Sequence, residues 1–301
     1  MRRKSRNLLS HYYSKMLILS GAVQRAKAKA LRGDHILSLY FHNPSKKEFE
    51  FVVEWLKKEA FHFISVNDLD KIIEGEAPFP KGAVLITVDD GWASNIDNMV
   101  AVANREKIPI TIFLTTAAVE TGNYWFSYAK QATRMGLGYP SSRNLKKWPN
   151  NDKADIIRQI REKIELPREA MTIDDVKKIA SSPYITIGAH TVNHPVLPNC
   201  TDEEASYEVK QSKEIIESWI GKKVETFAYP NGDFGEREAN ICKEAGYKLV
   251  FANNPGFITQ ENLHERYKIP RIAFLEGASN EENICRIVGA WHPYSKRIFG
   301  L

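Results

Sequence analysis

Short apolar runs alternate with segments of helical spacing along most of the chain, and this alternation restricts the fold more than any other feature. The runs at 36–41, 83–88 and 110–115 predict buried strands, and helical spacing follows at 46–59 and 95–107. A strand, helix, strand order needs crossover connections, which make the strands parallel and place helices on the sheet. We therefore predict an α/β fold built on a parallel sheet.

The alternation stops in the middle of the chain and then resumes. Residues 121–182 hold an aromatic start, a Gly/Pro/Ser loop and two helical patterns, which we interpret as a helical insertion over one end of the sheet. We find no internal repeat and no linker after it. The predicted organisation is a basic N-terminal helical extension, residues 1–34, and a single domain, residues 35–301. Further strands are predicted at 184–187, 225–229, 248–252 and 269–274.

Positive charge is concentrated at the N-terminus. Residues 1–33 contain nine Lys or Arg and no Asp or Glu, so the net charge of +5 becomes about −4 for the rest of the chain. The body of the protein is therefore not a nucleic-acid-binding surface. The extension predicts a basic, partly amphipathic helix that either makes peripheral contact with an anionic membrane or a partner, or packs on the domain as a solvated helix.

The cysteines and the apolar runs bear on the compartment. The three cysteines, Cys200, Cys242 and Cys285, are widely spaced and form neither a CxxC pattern nor a disulfide framework, which is typical of a reducing compartment. No apolar run approaches the roughly 18 residues that span a membrane. We expect a cytoplasmic, membrane-associated or free protein. Export remains an alternative, because the N-terminus superficially resembles a signal sequence.

The sequence TVDDG closes the apolar run at 83–88. It places Asp89 and Asp90 at the carboxyl end of a predicted strand, where Gly91 permits a sharp exit. Adjacent strand residues point to opposite faces, so the two carboxylates should do different work. One can hold a metal while the other moves a proton. Alone, the pattern is more often a strand followed by a solvated Asp-Gly turn.

A second signal follows the predicted strand at 184–187. In GAHTVNHP, His190 and His194 are four residues apart, which on one helical turn places both imidazoles on the same face. Pro195 should end that turn at His194. Two loop histidines alone mean little. At the shared edge of a parallel sheet, however, two histidines and one carboxylate make a three-ligand site with room for water, which suits Zn²⁺ or another divalent transition metal.

Together these motifs resemble the NodB-type polysaccharide deacetylases, carbohydrate esterase family 4, over about residues 35–274. The first motif there is usually TFDDG and here reads TVDDG; the second, HS/TxxH, is HTVNH. The resemblance implies a distorted (β/α) barrel of fewer than eight strands, here about seven. It implies Asp89 as the catalytic base and Asp90, His190 and His194 as the metal ligands.

The third motif of that family, RxxPY, is replaced by FAYPNG, residues 227–232, as in a variant subgroup. The arginine that orients the base is therefore not where the family places it. We expect Arg271, at the start of the last strand, to reach the site and bind Asp89. A surface ion pair for Arg271 is the competing interpretation.

Other side chains are expected around the site, and one is missing from it. We expect substrate contacts from residues at the loops, with core packing as the alternative for each aromatic: His42, Trp92, Tyr229, Pro230 and Asn231. The family's final-strand histidine, which protonates the leaving amine, has no equivalent. His264 and His292 are interpreted as exposed loop residues, which leaves the general acid unassigned.

The resemblance implies a metal-dependent hydrolase that removes N-acetyl groups from an amino-sugar glycan. Water activated by the metal would attack the acetyl carbon, Asp89 would take its proton, and a backbone N–H near residues 229–232 would hold the oxyanion. The partner would be an N-acetylated glycan or a lipid-linked sugar. Two alternatives are a catalytically impaired relative that binds a glycan or a partner, and a hydrolase of another ester or amide.

Overall fold

Parallel strands form the centre of the protein. The computed structural model describes residues 2–291, with side chains from residue 9 onward. All of the predicted strands are present; most begin or end one to three residues inside the predicted bounds, and the strand predicted at 184–187 extends to residue 189. They are β1 (Leu37–Phe41), β2 (His62–Ile64), β3 (Ala83–Val88), β4 (Ile110–Leu114), β5 (Ile185–Ala189), β6 (Thr226–Ala228), β7 (Leu249–Phe251) and β8 (Ile272–Ala273).

Seven of these strands form one path in the order β7-β6-β5-β4-β3-β1-β8, and β2 pairs with β3 beside it. Every pairing between them is parallel. Ile269 pairs with Phe251 of β7, and three residues later Ile272 pairs with Leu39 of β1. The segment 269–273 thus pairs with β7 at one end of the path and with β1 at the other. This curled sheet confirms the predicted distorted barrel of about seven parallel strands.

The central strands are buried on both faces, as their unbroken apolar runs predict. All six residues of β3 and all five of β4 are buried. A strand covered on both faces cannot alternate apolar and polar residues, because neither face meets water. The polar side chains that follow the carboxyl ends of β3 and β5, Asp89, Asp90 and His190, are buried as well.

Helices cover the sheet and form the first and last elements of the described residues. Their bounds are α1 (Arg2–Leu19), α2 (Ala22–Arg32), α3 (Lys46–Lys58), α4 (Val66–Ile73), α5 (Ala101–Glu106), α6 (Thr116–Thr121), α7 (Trp125–Arg134), α8 (Ser142–Leu145), α9 (Asn150–Arg161), α10 (Ile173–Ile179), α11 (Asp202–Ile220), α12 (Glu236–Glu244) and α13 (Asn280–Ile287). Helix α4 begins at Val66 because Ser65 and Asp68 form a capping box. A π-helical turn, Ile96–Val100, precedes α5.

Helices α6 to α10 lie between β4 and β5. Several of their side chains form an apolar cluster separate from the core around the sheet, and it includes Tyr124, Trp125, Phe126, Leu145 and Ile160. At the N-terminus, α1 packs on α13 and Tyr13 meets Trp291 edge-on, with ring centroids 4.9 Å apart. The exact division into an extension and one domain stays a prediction.

Cys200, Cys242 and Cys285 are buried free thiols. Among the described residues, no helix is both long enough and apolar enough to cross a bilayer.

Candidate active site

The site begins where β3 ends, and the backbone there turns sharply. Asp90 has a φ of 76° and Gly91 one of 88°, so two consecutive residues adopt the left-handed region. A Cβ on Gly91 would come within 2.6 Å of the Leu114 side chain. This turn, rather than the alternation of a continuing strand, directs the Asp89 and Asp90 carboxylates to different partners.

Asp90 converges with two histidines. Its Oδ1 lies 3.3 Å from Nε2 of His194 and 3.6 Å from Nε2 of His190. One donor atom from each residue lies within 4.8 Å of the other two, and all three residues are buried. Buried Asp90 Oδ1 has no hydrogen-bond partner among the described residues. A divalent cation between these atoms would satisfy that oxygen, so the residues fit a metal.

The two histidines do not lie on a helical turn, and that prediction was wrong. Residues 190–194 form an irregular loop in which Thr191 and His194 have φ values of 67° and 55°. Thr191 Oγ1 accepts a 3.0 Å hydrogen bond from the His194 N–H. Pro195 disfavours helical backbone at His194, and the loop brings the imidazoles together without a helix. Their ring centroids are 4.9 Å apart.

The chemistry of His190 suits a metal ligand. Its Nδ1 donates a 2.6 Å hydrogen bond to the Ala228 carbonyl at the end of β6, which leaves Nε2 with a lone pair facing Asp90. Burial lowers the pKa of His190 to about 4, although the Asp89 charge acts in the opposite direction. Burial alone would raise the pKa of Asp90, but the imidazole of His194 beside it holds that pKa below its usual range. At neutral pH the set is therefore one carboxylate and at least one neutral imidazole.

Aromatic side chains from the β3 turn and the insertion hold these ligands in place. Trp92 Nε1 donates a 3.0 Å hydrogen bond to Asp90 Oδ2, and the expected contact of its half-buried ring with substrate stays a prediction. The Tyr124 hydroxyl donates to the Asp90 carbonyl at 3.4 Å, and Trp125 Nε1 donates to the His194 carbonyl at 2.9 Å. The insertion thus fixes the backbone of two of the three ligands.

Asp89 binds a different partner. Its two carboxylate oxygens accept hydrogen bonds of 2.7 and 2.9 Å from the two terminal nitrogens of Arg271. Both side chains are almost completely buried. Burial alone would raise the pKa of Asp89, but the Arg271 guanidinium outweighs it and holds that pKa below its usual range. The structure places Arg271 on Asp89 rather than in a surface ion pair.

The Arg271 guanidinium is fully hydrogen-bonded. Besides Asp89, it donates to Thr87 Oγ1 at 3.0 Å, to Asn253 Oδ1 at 2.6 Å and to the Ala252 carbonyl at 3.3 Å. The Tyr40 ring faces it with its centroid 4.6 Å away. Five N–H groups meet five acceptors, which is how a protein can bury a guanidinium.

The remaining predicted side chains differ in their position. His42 is half-buried at the end of β1, and its charge lowers the pKa of both aspartates. Tyr229 is buried against Phe234 and its hydroxyl donates to the Tyr267 carbonyl, so this ring is not available to a substrate. His264 is exposed, as expected. His292 lies outside the described residues.

Pro230 and Asn231 form the loop after β6. Asn231 has a φ of 59°. The N–H groups of Tyr229 and Gly232 donate to the carbonyls of Phe251 and Tyr229. Among the described residues, no backbone carbonyl accepts the Asn231 N–H, so this amide is the free donor of the loop.

Sequence reasoning missed Glu208, because a glutamate in the middle of a helix carries no motif. From α11 its carboxylate accepts three hydrogen bonds of 2.8 Å, from the N–H groups of Val192 and Asn193 and from Asn193 Nδ2. The side chain is buried. Glu208 therefore holds the loop that carries both histidines.

We predict that Glu208→Gln weakens metal binding about 10–100-fold, because an amide cannot accept all three hydrogen bonds and the histidine loop loosens. Competition with a chelator of known affinity would measure the change. Glu203→Gln, at an exposed position of the same helix, is the control and should bind metal as the wild type does. Equal affinity in both variants would contradict this role for Glu208.

Comparisons with known proteins agree with this geometry. The profile of the polysaccharide deacetylase family matches residues 76–250, more than half of the chain. YxkH of Bacillus subtilis is 21% identical over 234 residues, covering 78% of this chain and 66% of that protein. The poly-beta-1,6-N-acetyl-D-glucosamine N-deacetylase of Staphylococcus epidermidis is 23% identical over 233 residues, covering 77% and 68%. The chain spans about two thirds of the length of these curated relatives.

A solved structure shares the fold. The structure of IcaB from Ammonifex degensii superposes with a TM-score of 0.63 at 17% sequence identity. The match covers 85% of this chain and 97% of that chain. At this identity the likeness concerns the arrangement of strands and helices.

Proposed function

The chain belongs to the polysaccharide deacetylase family, and from that premise we propose that it is a metal-dependent hydrolase that removes N-acetyl groups from an amino-sugar glycan. The observation that carries the proposal is one buried group of side chains. Asp90, His190 and His194 can hold a cation, and Asp89, the next residue along the chain, is held by Arg271. The cation would supply the electrophile and Asp89 would supply the base that a hydrolase needs.

Zinc is the proposed cofactor, because two imidazoles and one carboxylate are a ligand set that Zn²⁺ takes in hydrolases. When bound, the cation would polarise the acetyl carbonyl and lower the pKa of a water. Asp89 would accept the proton of the attacking water, and its lowered pKa keeps it ionised at neutral pH. The Asn231 N–H would donate to the developing oxyanion.

Two alternatives are less well supported. A glycan-binding relative without catalysis was suggested by the lack of an arginine in FAYPNG and of a histidine on the final strand. Arg271, directly before β8, supplies a guanidinium to Asp89. A binding module gains nothing from burying this ion pair, which costs free energy to desolvate. Hydrolysis of another ester or amide is distinguished from our proposal only by the choice of substrate.

The experiment is acetate release from N-acetylglucosamine oligomers, acetylxylan and lipid-linked N-acetylated sugars, with the metal content measured beforehand. We expect acetate from an N-acetylated sugar, loss of activity after chelation and recovery with Zn²⁺. Full activity after exhaustive chelation would contradict metal dependence. Release from acetylxylan alone would contradict N-deacetylation.

We also propose that residues 1–33 bring the enzyme to an anionic membrane that presents a lipid-linked substrate. One face of α1 packs inward through Tyr13 and Leu17. The other face exposes large side chains at intervals of three, four and three residues: Leu9 61%, Tyr12 64%, Met16 55% and Leu19 88%. An apolar stripe on a strongly basic segment is typical of helices that lie in a membrane interface.

We predict that the protein floats with vesicles containing phosphatidylglycerol but not with neutral phosphatidylcholine vesicles, because charge and apolar insertion must act together. Changing Leu9, Tyr12, Met16 and Leu19 to Ser should abolish flotation. Changing exposed Met135 and Leu137 to Ser is the control and should leave it intact. If the stripe variant instead loses a dimer seen by sedimentation while the wild type never floats, the stripe binds a second copy and the membrane proposal is wrong.

A further inference from the structure

The proposed reaction lacks a proton donor for the departing amine. An amine leaves a tetrahedral carbon readily only when its nitrogen gains a proton. Apart from the ligands, His42 is the described histidine whose charge acts on both aspartates. It follows β1 on the side of the base, where the Asp89 N–H donates to the Phe41 carbonyl at 2.8 Å. The base acts on the water that attacks the acetyl carbon, whereas the acid acts on the nitrogen bound to that carbon. Because His42 lies on the side of the base, the proton donor for the nitrogen is needed on another side of the site.

Lys146 reaches the site from the insertion. It directly follows α8, and its carbonyl accepts a 2.8 Å hydrogen bond from Asn199 Nδ2, which anchors its backbone to the segment after the histidine loop. Its Nζ donates a short hydrogen bond to Asn231 Oδ1. Among the described residues, no carboxylate lies within ion-pair distance of this amine. A neutral amide therefore holds the cation.

The segment around Asn231 contacts residues that hold a metal ligand and residues that hold the base. Three residues before Asn231, the Ala228 carbonyl holds His190. One residue after it, Gly232 packs so closely on Asn253 that a Cβ would come within 2.4 Å of the Asn253 side chain. Asn253 in turn accepts a hydrogen bond from Arg271. The Lys146 amine thus stands on a wall of the site that is continuous with both functional groups.

A groove passes along this wall. It has a volume of about 720 Å³ and is lined in part by Lys146, Lys147, Val196, Gly232 and Asp233, beside the metal ligands and Asp89 but not including them. An open groove suits an extended sugar chain better than an enclosed pocket would. A glycan lying in it would pass beside the Lys146 amine.

We propose that Lys146 is the general acid of this enzyme and gives a proton to the nitrogen of the departing amino sugar. The inference rests on the proposed deacetylation. Supporting it, partial burial of the amine lowers the pKa of Lys146, whose side chain is otherwise exposed; Asp233 and Asp90 oppose the effect and Lys130 reinforces it. A lysine with a lowered pKa donates its proton more readily at neutral pH.

The proton balance closes over one turnover. Asp89 takes a proton from the attacking water as the carbon becomes tetrahedral. The C–N bond then breaks, its electron pair goes to nitrogen, and that nitrogen takes a proton from the Lys146 ammonium. Acetic acid, a free amine, protonated Asp89 and neutral Lys146 result. The Asp89 proton returns to Lys146 through solvent, and the acetic acid proton passes to the released amine.

The test compares Lys146→Gln, Lys146→Arg and the control Lys177→Gln, which changes an exposed lysine of α10 outside the groove. We expect both Lys146 variants to lose about 10²-fold or more in kcat with KM little changed, since Arg keeps the charge but does not release a proton. Metal content should match the wild type, and so should the kinetics of Lys177→Gln. The wild-type rate should fall on the alkaline side with the pKa that NMR measures for isotopically methylated Lys146.

Three results would overturn the assignment. Wild-type kcat in Lys146→Arg would reduce Lys146 to a positioning charge. Unchanged kinetics in Lys146→Gln would remove it from the reaction. If the pH–rate profile loses its alkaline limb in His42→Gln but keeps it in Lys146→Gln, His42 is the acid. If the wild type releases no acetate from any N-acetylated sugar, the proposed function itself fails, and this outcome is separate from the variant comparison.

Discussion

Asp89→Asn is expected to lower kcat about 10³-fold and to leave the metal bound. The amide cannot take a proton from water, so the variant loses the base but none of the proposed ligand atoms, which belong to Asp90, His190 and His194. Acetate release gives the rate, and elemental analysis of the purified variant gives the metal content.

Asp90→Ala is the matched comparison, because it changes the adjacent residue but removes a ligand. It should lose the metal and the activity together. Asp89→Asn also leaves the buried Arg271 without its counter-charge, which costs about 3–5 kcal/mol in the free energy of unfolding, so thermal unfolding must confirm that the assayed variant is folded. Turnover near the wild-type rate, or loss of metal from folded Asp89→Asn, would contradict the division of work between the two aspartates.

The fold could be predicted because the strands are buried on both faces. A strand such as β3 must be apolar throughout, and the helices between strands must show a 3.6-residue period, so both are visible in the sequence. The short β8 was predicted longer than it is. Its preceding residues pair with β7 instead, and a single sequence does not reveal where one chain segment passes between two strand edges.

The candidate ligands were found by motif, but the backbone that presents them was not. Asp90, Thr191 and His194 all have positive φ, which side-chain spacing does not predict for residues other than glycine. The spacing of His190 and His194 suggested a helical turn, yet an irregular loop brings the rings equally close. Similar side-chain positions can thus arise from different backbones, so the motif predicts the chemistry better than the conformation.

Contacts between residues far apart in the sequence were predictable only where a motif lacked a residue that the family usually has. Arg271 was considered because the FAYPNG strand lacks an arginine, although 182 residues separate it from Asp89. No missing motif residue pointed to Glu208 or Lys146, and their contacts depend on how α11 and α8 pack on the rest of the protein. Trp92 was predicted to contact a sugar because its ring is aromatic. Its hydrogen bond to Asp90 comes from the indole N–H, and aromatic character alone does not predict that contact.

Arg271→Ala is expected to raise the pKa of Asp89 and to destabilise the fold. Without the guanidinium, burial raises the pKa of the carboxyl, so the acidic limb of the kcat/KM profile should move to higher pH. Leaving the carboxylate buried and unpaired should lower the free energy of unfolding by about 3–5 kcal/mol at neutral pH. Arg266→Ala, which breaks a surface pair with Glu74, should cost no more than about 1 kcal/mol.

The pH dependence of stability separates an ion pair from simple loss of packing. In the wild type the folded-state pKa of Asp89 is depressed, so the contribution of the pair is complete above the unfolded pKa of about 3.9 and is lost as the pH falls through the folded value. In Arg271→Ala the folded pKa is raised, so acidification neutralises the buried carboxylate and relieves its cost. The stability difference between the two proteins should therefore be largest near neutral pH and narrow on acidification. A stability difference that does not change with pH would show that Arg271 acts by packing alone. Added guanidinium gives a second readout. At millimolar concentration it should partly restore the activity of Arg271→Ala if Arg271 acts as an ion pair, and should fail to do so if it acts by packing.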